Sequence, residues 1–102
     1  MPTLDDLAIH HNDWARGVFT KSTPESVTEH LRREAIELAE NPTDPSEMAD
    51  VFLLLVWLAD LTGTDLCGAI EDKIDINEHR KWGKPDSQGV VEHLDPACEE
   101  GV

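Results

Sequence analysis

The sequence predicts an all-α fold: a small four-helix bundle that assembles into oligomers and ends in an extended C-terminal tail. Four stretches place apolar residues at helical spacing, and proline-containing helix starts precede two of them. The chain has 102 residues, enough for one small domain. We expect residues 1–82 to form the helical domain and residues 83–102 to form the tail. A core of this size is modest, and an oligomer would extend it.

The first predicted helix covers residues 4–19, where apolar side chains recur at roughly helical spacing. Trp14 and Phe19 are expected in the core, and the alternative is that one of them stacks on the base of a ligand. The second predicted helix starts at Ser22-Thr23-Pro24-Glu25, which combines a hydroxyl cap, an early proline and a glutamate three residues after Ser22. It runs to about Glu40, because Asn41-Pro42 stops it.

The third predicted helix is capped by Asp44 and runs to about Leu61, with Gly63 as its C-terminal cap. Residues 51–59 are nine consecutive apolar residues, too few to span a bilayer. A helix that is apolar on every side must be surrounded by protein. In a chain this short, we expect a second subunit to provide part of that cover.

The fourth predicted helix opens at Thr64-Asp65 and runs to about Trp82. Three of its polar residues share a face with its apolar residues, at spacings i, i+4 and i+7: Lys73, Asn77 and Arg80. One interpretation is that these long side chains reach water from the end of the bundle. The other is that they form a cationic patch for a polyphosphate. The tail after this helix has no helical period, and residues 90–94 are predicted to dock as a short strap.

The formal net charge of −14 argues against a nucleic acid or an anionic membrane as partner, since both require basic surfaces. It does not exclude a phosphorylated substrate, because bound cations reverse the local sign. Cys67 and Cys98 lack metal-site spacing and are expected to be free thiols in a reducing cytoplasm. The N-terminus has no basic segment followed by an apolar run, so no signal peptide is expected.

Two pairs of acidic residues lie on helix faces that should pack. Glu34 and Glu37 share one face of the second helix, and Glu47 and Asp50 share one face of the third. Buried carboxylates without partners are unfavourable, and a shared cation is a common remedy. Carboxylates without His or Cys suit Mg²⁺ or Mn²⁺. The alternative is that these acids are surface or helix-start charges, since Glu47 lies where a capping glutamate would.

Taken together, these residues resemble the MazG-like superfamily of all-α nucleoside triphosphate pyrophosphohydrolases. The resemblance covers roughly residues 10–95 and is strongest with small phage-encoded members, which also contain an early tryptophan such as Trp14. Only nine residues separate the two acid pairs, fewer than is usual in the family, so any substrate-specific loop there is lost. The matching motifs are Glu34-x-x-Glu37, Glu47-x-x-Asp50 before a long apolar helix, and Lys73-x-x-x-Asn77-x-x-Arg80-Lys81-Trp82-Gly83.

The resemblance implies a site for two or more Mg²⁺ ions, with Mn²⁺ able to substitute, and a catalytic bundle that forms a homodimer or homotetramer. The implied metal ligands are Glu34, Glu37, Glu47 and Asp50. The implied substrate contacts are Lys73 and Asn77 at phosphate or metal-bound substrate, Arg80 and Lys81 at neighbouring basic positions, and Trp14 at the base.

The implied reaction is attack of water on the α-phosphorus of a nucleoside triphosphate, which yields the monophosphate and pyrophosphate. A carboxylate accepts the proton of the water, and Glu37 is preferred over Glu34 for this role. The phage-encoded members further imply dGTP and GTP as substrates, feeding synthesis of a 2-aminoadenine nucleotide in the host cytoplasm. The residues alone leave two alternatives open: a house-cleaning pyrophosphohydrolase for dATP or another nucleotide, and a non-catalytic binding or regulatory bundle.

Overall fold

A computed structural model describes residues 1–94, so the last part of the predicted tail, including Cys98, lies outside the described residues. Residues 1–94 contain four helices and no strand, which confirms the all-α class. The helices are α1 (Leu4–Val18), α2 (Pro24–Glu40), α3 (Pro45–Thr62) and α4 (Leu66–His79). No single helix among the described residues is long and apolar enough to cross a membrane. The sharply bent pair formed by α3 and α4 passes the same test of length and composition.

Reciprocal side-chain caps begin α1 and α2. In α1 the side chains and backbone of Thr3 and Asp6 cap one another reciprocally. In α2 the same reciprocal capping joins Thr23 to Ser26, so the predicted pairing of Ser22 with Glu25 is wrong. The Ser22 hydroxyl instead accepts a hydrogen bond from the indole N–H of Trp57 at 3.3 Å. A contact with a distant helix therefore decides which hydroxyl caps α2.

The cap residues of α3 are those predicted. Asp44 accepts a hydrogen bond from the backbone N–H of Ser46 at 2.8 Å, and Gly63 closes the helix in the left-handed conformation at φ 65°. By contrast, α4 ends at His79 and not near Trp82. The indole N–H of Trp82 donates to the carbonyl of Asn77 at 2.9 Å, and this contact requires the chain to leave the helix.

The described part of the chain divides into two compact units, residues 1–66 and the described residues from 67 onward. In the first unit, α1 and α2 both pack on α3. Asn12 is buried and donates from its side-chain amide to the carbonyl of Val56 at 3.1 Å, and Arg16 reaches Asp60 at 2.9 Å. Both contacts fix α1 against α3. The buried core is Ala15, Val27, Leu54 and Trp57, with Phe19, Leu31, Leu58 and Leu61 packed around it.

The predicted core position of Phe19 is confirmed, but that of Trp14 is wrong, because 53% of Trp14 is exposed. The apolar α3 also keeps exposed side chains in this chain, such as Met48 and Leu55. That a second subunit covers them stays a prediction.

In the second unit, the described residues after α4 fold back on themselves. An antiparallel bridge joins Trp82 and His93, flanked by hydrogen bonds from Gly83 N–H to Glu92 O (2.9 Å) and from Leu94 N–H to Lys81 O (2.8 Å). The predicted docking of residues 90–94 as a strap is thereby confirmed. This pairing joins residues on both sides of the predicted domain boundary at 82, which stays a prediction.

Candidate active site

Helices α2 and α3 bring three of the four predicted acidic ligands together. One carboxylate oxygen from each of Glu34, Glu37 and Glu47 lies within 4.8 Å of the other two. The spacing i, i+3 places the first two on one face of α2, and the packing of α2 on α3 adds the third. We call these three residues the carboxylate cluster.

Two oxygens of the cluster are buried without a hydrogen-bond donor. The Oε2 atoms of Glu34 and Glu47 are inaccessible to water and have no partner among the described residues. The Glu34 side chain is 18% exposed. Because buried carboxylate oxygens are normally satisfied by hydrogen-bond donors or cations, two such oxygens in one cluster favour binding of a cation.

The cluster raises the pKa of Glu34 above its ordinary value. The largest cause is the hydrogen bond with the Glu37 carboxyl group, followed by burial and by the negative charges of Glu37 and Asp50. His30 acts in the opposite direction, since its Nε2 lies 3.3 Å from Glu34 Oε1. A raised pKa means that the Glu34 carboxyl group binds a proton more tightly than usual, and a metal ion bound there would compete with that proton.

The pKa of Glu47 is also raised, and here burial is the largest cause. The charges of Glu37, Asp44, Asp50 and Glu34 add to it. The cluster therefore concentrates acidic groups in a partly dry environment.

Asp50 borders the cluster without belonging to the group of three. Its side chain is exposed, and its charge acts on both Glu34 and Glu47. Its predicted role as a metal ligand stays a prediction. His30 is a neighbour of the cluster that the sequence prediction does not include. Its spacing i, i+4 from Glu34 is the signal that would have indicated the contact.

The cluster suits a hard divalent cation. The atoms that could bind a metal are all carboxylate oxygens, and no cysteine among the described residues belongs to the cluster. Mg²⁺ and Mn²⁺ prefer such oxygen ligands. The two buried oxygens without donors match this chemistry.

A largely apolar groove of about 640 Å³ lies between α1 and the first half of α3. Trp14 lines it and contacts Phe19 edge to face, with ring centroids 5.4 Å apart. Its volume is in the range of small-molecule sites. The sequence indicated Trp14 but not the groove, because two helices form it. The other lining residues are Leu4, Leu7, His10, His11, Pro45, Met48, Ala49, Phe52 and Leu53.

The polar residues predicted on α4 only partly follow the prediction. Lys73 is exposed, as is Ile70, an apolar residue on the same face, so this face of α4 is not packed at these two positions in the single chain. Asn77 and Arg80 are half-buried, and the Arg80 guanidinium donates to Asn77 Oδ1 at 3.5 Å. The predicted contacts of these residues and of Lys81 with phosphate stay predictions.

The chain matches a family model and two phage proteins. A family model described as dATP/dGTP pyrophosphohydrolase matches residues 7–100. A dATP/dGTP diphosphohydrolase of Cyanophage S-2L is 32% identical over 94 residues, which cover 90% of this chain and 89% of that protein. Another, from Salmonella phage PMBT28, is 32% identical over 93 residues. These cover 90% of this chain but 32% of that protein, so the chain spans about a third of that relative's length.

Among solved structures, a similar one is a Cyanophage S-2L MazG-like pyrophosphohydrolase bound to dGDP and three catalytic Mn²⁺ ions per active site. The two folds agree with a TM-score of 0.80 at 30% sequence identity, over 94% of this chain and 96% of that one. The resemblance found in the acidic motifs is thereby confirmed. This chain belongs to the dATP/dGTP pyrophosphohydrolase family, a MazG-like family of nucleoside triphosphate pyrophosphohydrolases.

Proposed function

We propose that this chain hydrolyses a purine nucleoside triphosphate, with dGTP and GTP as the preferred substrates, to the monophosphate and pyrophosphate. The observation that carries the proposal is the convergence of three carboxylates, two of which have a buried oxygen with no hydrogen-bond donor among residues 1–94. The names of the phage relatives, and the dGDP and Mn²⁺ bound in the cyanophage structure, support the same chemistry.

The metal ligands in this proposal are Glu34, Glu37, Glu47 and Asp50, which hold two or more Mg²⁺ or Mn²⁺ ions. The bound ions neutralise phosphate charge and lower the pKa of a water molecule. The exposed position of Asp50 at the border of the cluster suits a ligand that joins when metal and substrate bind.

Glu37 is the proposed general base. It is exposed, whereas the Oε2 atom of Glu34 is buried, so Glu37 is better placed to receive a proton from an entering water molecule. The water oxygen bonds to the α-phosphorus as the bond from that phosphorus to the bridging oxygen breaks, and pyrophosphate leaves. The anionic phosphates are held by Lys73, Asn77 and Arg80, and by Lys81, which follows Arg80 in the chain.

Trp14 is the proposed contact for the base. Its half-exposed ring lines the apolar groove, and stacking of a base on an aromatic ring contributes about 1–3 kcal/mol. Stacking does not distinguish guanine from other bases, so selectivity for dGTP depends on groups beyond this ring. The dGMP produced from dGTP would supply synthesis of a 2-aminoadenine nucleotide in the host cytoplasm.

The proposed assembly is a homodimer or homotetramer. Apolar side chains on both α1 and α3 are exposed in the single chain outside the groove, including Ile9, Val18 and Leu55. Covering them with a second copy removes apolar surface from water.

The test is pyrophosphate release from a panel of ribo- and deoxyribonucleoside triphosphates, with Mg²⁺, with Mn²⁺ and with a chelator. We expect metal-dependent release concentrated on dGTP and GTP. Release concentrated on dATP or a pyrimidine would retain the reaction and refute the guanine preference. No release from a protein that circular dichroism shows to be folded would refute the catalytic function and favour a binding or regulatory bundle.

A further inference from the structure

The last turn of α4 is held by a short segment that follows it in the chain. The indole N–H of Trp82 donates to the carbonyl of Asn77 at 2.9 Å. That carbonyl is one of the last four of the helix, which have no partner within the helix itself. Trp82 therefore caps α4 with a side chain that lies beyond its end.

Trp82 is in turn fixed by the strap, residues 90–94. Its backbone forms the antiparallel bridge with His93, and the two rings meet edge to face with centroids 5.9 Å apart at 90°. The hydrogen bonds of Gly83 with Glu92 and of Leu94 with Lys81 close the pairing on both sides. The position of the indole thus depends on residues ten or more positions later in the chain.

Asp86 stabilises the turn that brings residues 90–94 back beside Trp82. Its Oδ1 accepts hydrogen bonds from the backbone N–H groups of Gln88 (2.8 Å) and Val90 (3.0 Å). Its own N–H donates to Val90 O at 2.9 Å, and Gly89 adopts the left-handed conformation at φ 81°. One carboxylate therefore organises the whole reversal between Gly83 and the strap.

From these contacts we infer that Trp82, held by the strap, is a positioning residue for the phosphate-binding end of α4. The residues it positions are Asn77, whose carbonyl it caps, and Arg80, whose guanidinium bonds to the Asn77 side chain. The inference rests on the proposed function, which assigns phosphate contacts to these two residues. Releasing the cap allows the last helical turn to fray, and the substrate must then order that turn on binding.

The test compares four variants with the wild-type chain in pyrophosphate release. Trp82→Phe keeps a ring against His93 and removes the N–H donor, while Asp86→Ala removes the acceptor of the turn without altering α4. Asp86→Asn retains an acceptor oxygen and should rescue the function. Gln88→Ala is the matched control, because Gln88 contacts Asp86 through its backbone N–H, which alanine keeps.

For Trp82→Phe and Asp86→Ala we expect KM for the fastest wild-type substrate to rise about fivefold, the factor that one net hydrogen bond contributes. We expect kcat to change less than twofold, and KM of the Asp86→Asn and Gln88→Ala variants to remain near the wild-type value. Amide hydrogen exchange at Gly83 and Leu94 should accelerate in Asp86→Ala, and the rise in melting temperature on adding Mn²⁺ should persist in all variants.

An unchanged KM in both variants, with accelerated exchange at the strap, would overturn the inference while the proposed function stands. A lower kcat together with a lost Mn²⁺ effect would also overturn it, since the defect would then lie at the metal site. A wild-type chain that releases no pyrophosphate would refute the proposed function, and the inference with it, before any variant is compared.

Discussion

Replacing Glu47 by glutamine removes one of the three clustered carboxylates and keeps the size of the side chain. In the metal-free protein this change should be stabilising at neutral pH. The pKa of Glu47 is raised, first by burial and then by neighbouring negative charges. Because folding raises the pKa of Glu47, ionising this group costs more in the folded chain than in the unfolded chain. The folded state is therefore not destabilised by Glu47 below the unfolded pKa near 4.5, and it loses stability as the pH rises through the folded pKa. Glutamine does not ionise, so this loss of stability does not occur in Glu47→Gln. The melting temperature of the metal-free variant should therefore exceed that of wild type at pH 7.

With metal the order should reverse. A cation that binds only the native state at a hundredfold excess over its Kd stabilises by about 2.7 kcal/mol. Loss of one of three clustered ligands weakens binding on the order of a hundredfold, at least as much as losing an outer-shell partner. The same Mn²⁺ concentration then contributes about 0.4 kcal/mol. For a chain of 102 residues, the rise in melting temperature should fall from about 10–20 °C to about 2–3 °C.

The assay is thermal unfolding followed by circular dichroism, with chelator and with Mn²⁺, from pH 5 to pH 8. Glu25→Gln is the matched control, since this exposed glutamate lies on the same helix as Glu34 and about 13 Å along its axis from that residue. Its rise in melting temperature with Mn²⁺ should equal that of wild type. An equal rise in Glu47→Gln would refute the assignment of Glu47 to the metal site.

Three further predictions concern other parts of the chain. Glu34→Gln should reduce pyrophosphate release more than about a hundredfold with helix content retained, and near-normal turnover would contradict the metal-site assignment. Trp57→Ala should lower the free energy of unfolding in urea by about 3–5 kcal/mol, because only 3% of Trp57 is exposed; an unchanged urea midpoint would refute its role in the core. NMR titration should place the pKa of Glu29 at about 2, chiefly because of hydrogen bonds from Arg32 and Arg33; the resulting stabilisation is present above about pH 4.5 and lost as the pH falls through about 2. A pKa that stays near 2 after both arginines are replaced by alanine would refute this cause.

Local sequence signals placed most helix boundaries correctly, because caps are made by neighbours in the chain. Asp44 and Gly63 act as predicted at the two ends of α3. The signals failed where a distant residue decides the outcome. Trp57 takes the hydroxyl of Ser22, and the pairing of Trp82 with the strap ends α4 early.

The acidic site was predictable to the level of a helix face. Helical periodicity placed Glu34 and Glu47 on stripes that should pack, and both have buried oxygens in the structure. Periodicity could not determine the distance between two helices, so it could not separate Asp50 from the group of three or identify His30 as a neighbour. It also could not show that Trp14 lines a groove, since that depends on how closely α1 approaches α3.

The sequence by itself determined the helical class, the two caps of α3 and the two acid pairs, because each depends on interactions between residues a few positions apart. Only the tertiary structure decided that carboxylates from two helices converge within 4.8 Å and that two of their oxygens are shielded from water with no hydrogen-bond donor in the described part of the chain. Desolvation and close like charges arise only when elements pack. The features that make Glu34 and Glu47 suited to a metal ion are therefore properties of the fold and not of the local sequence.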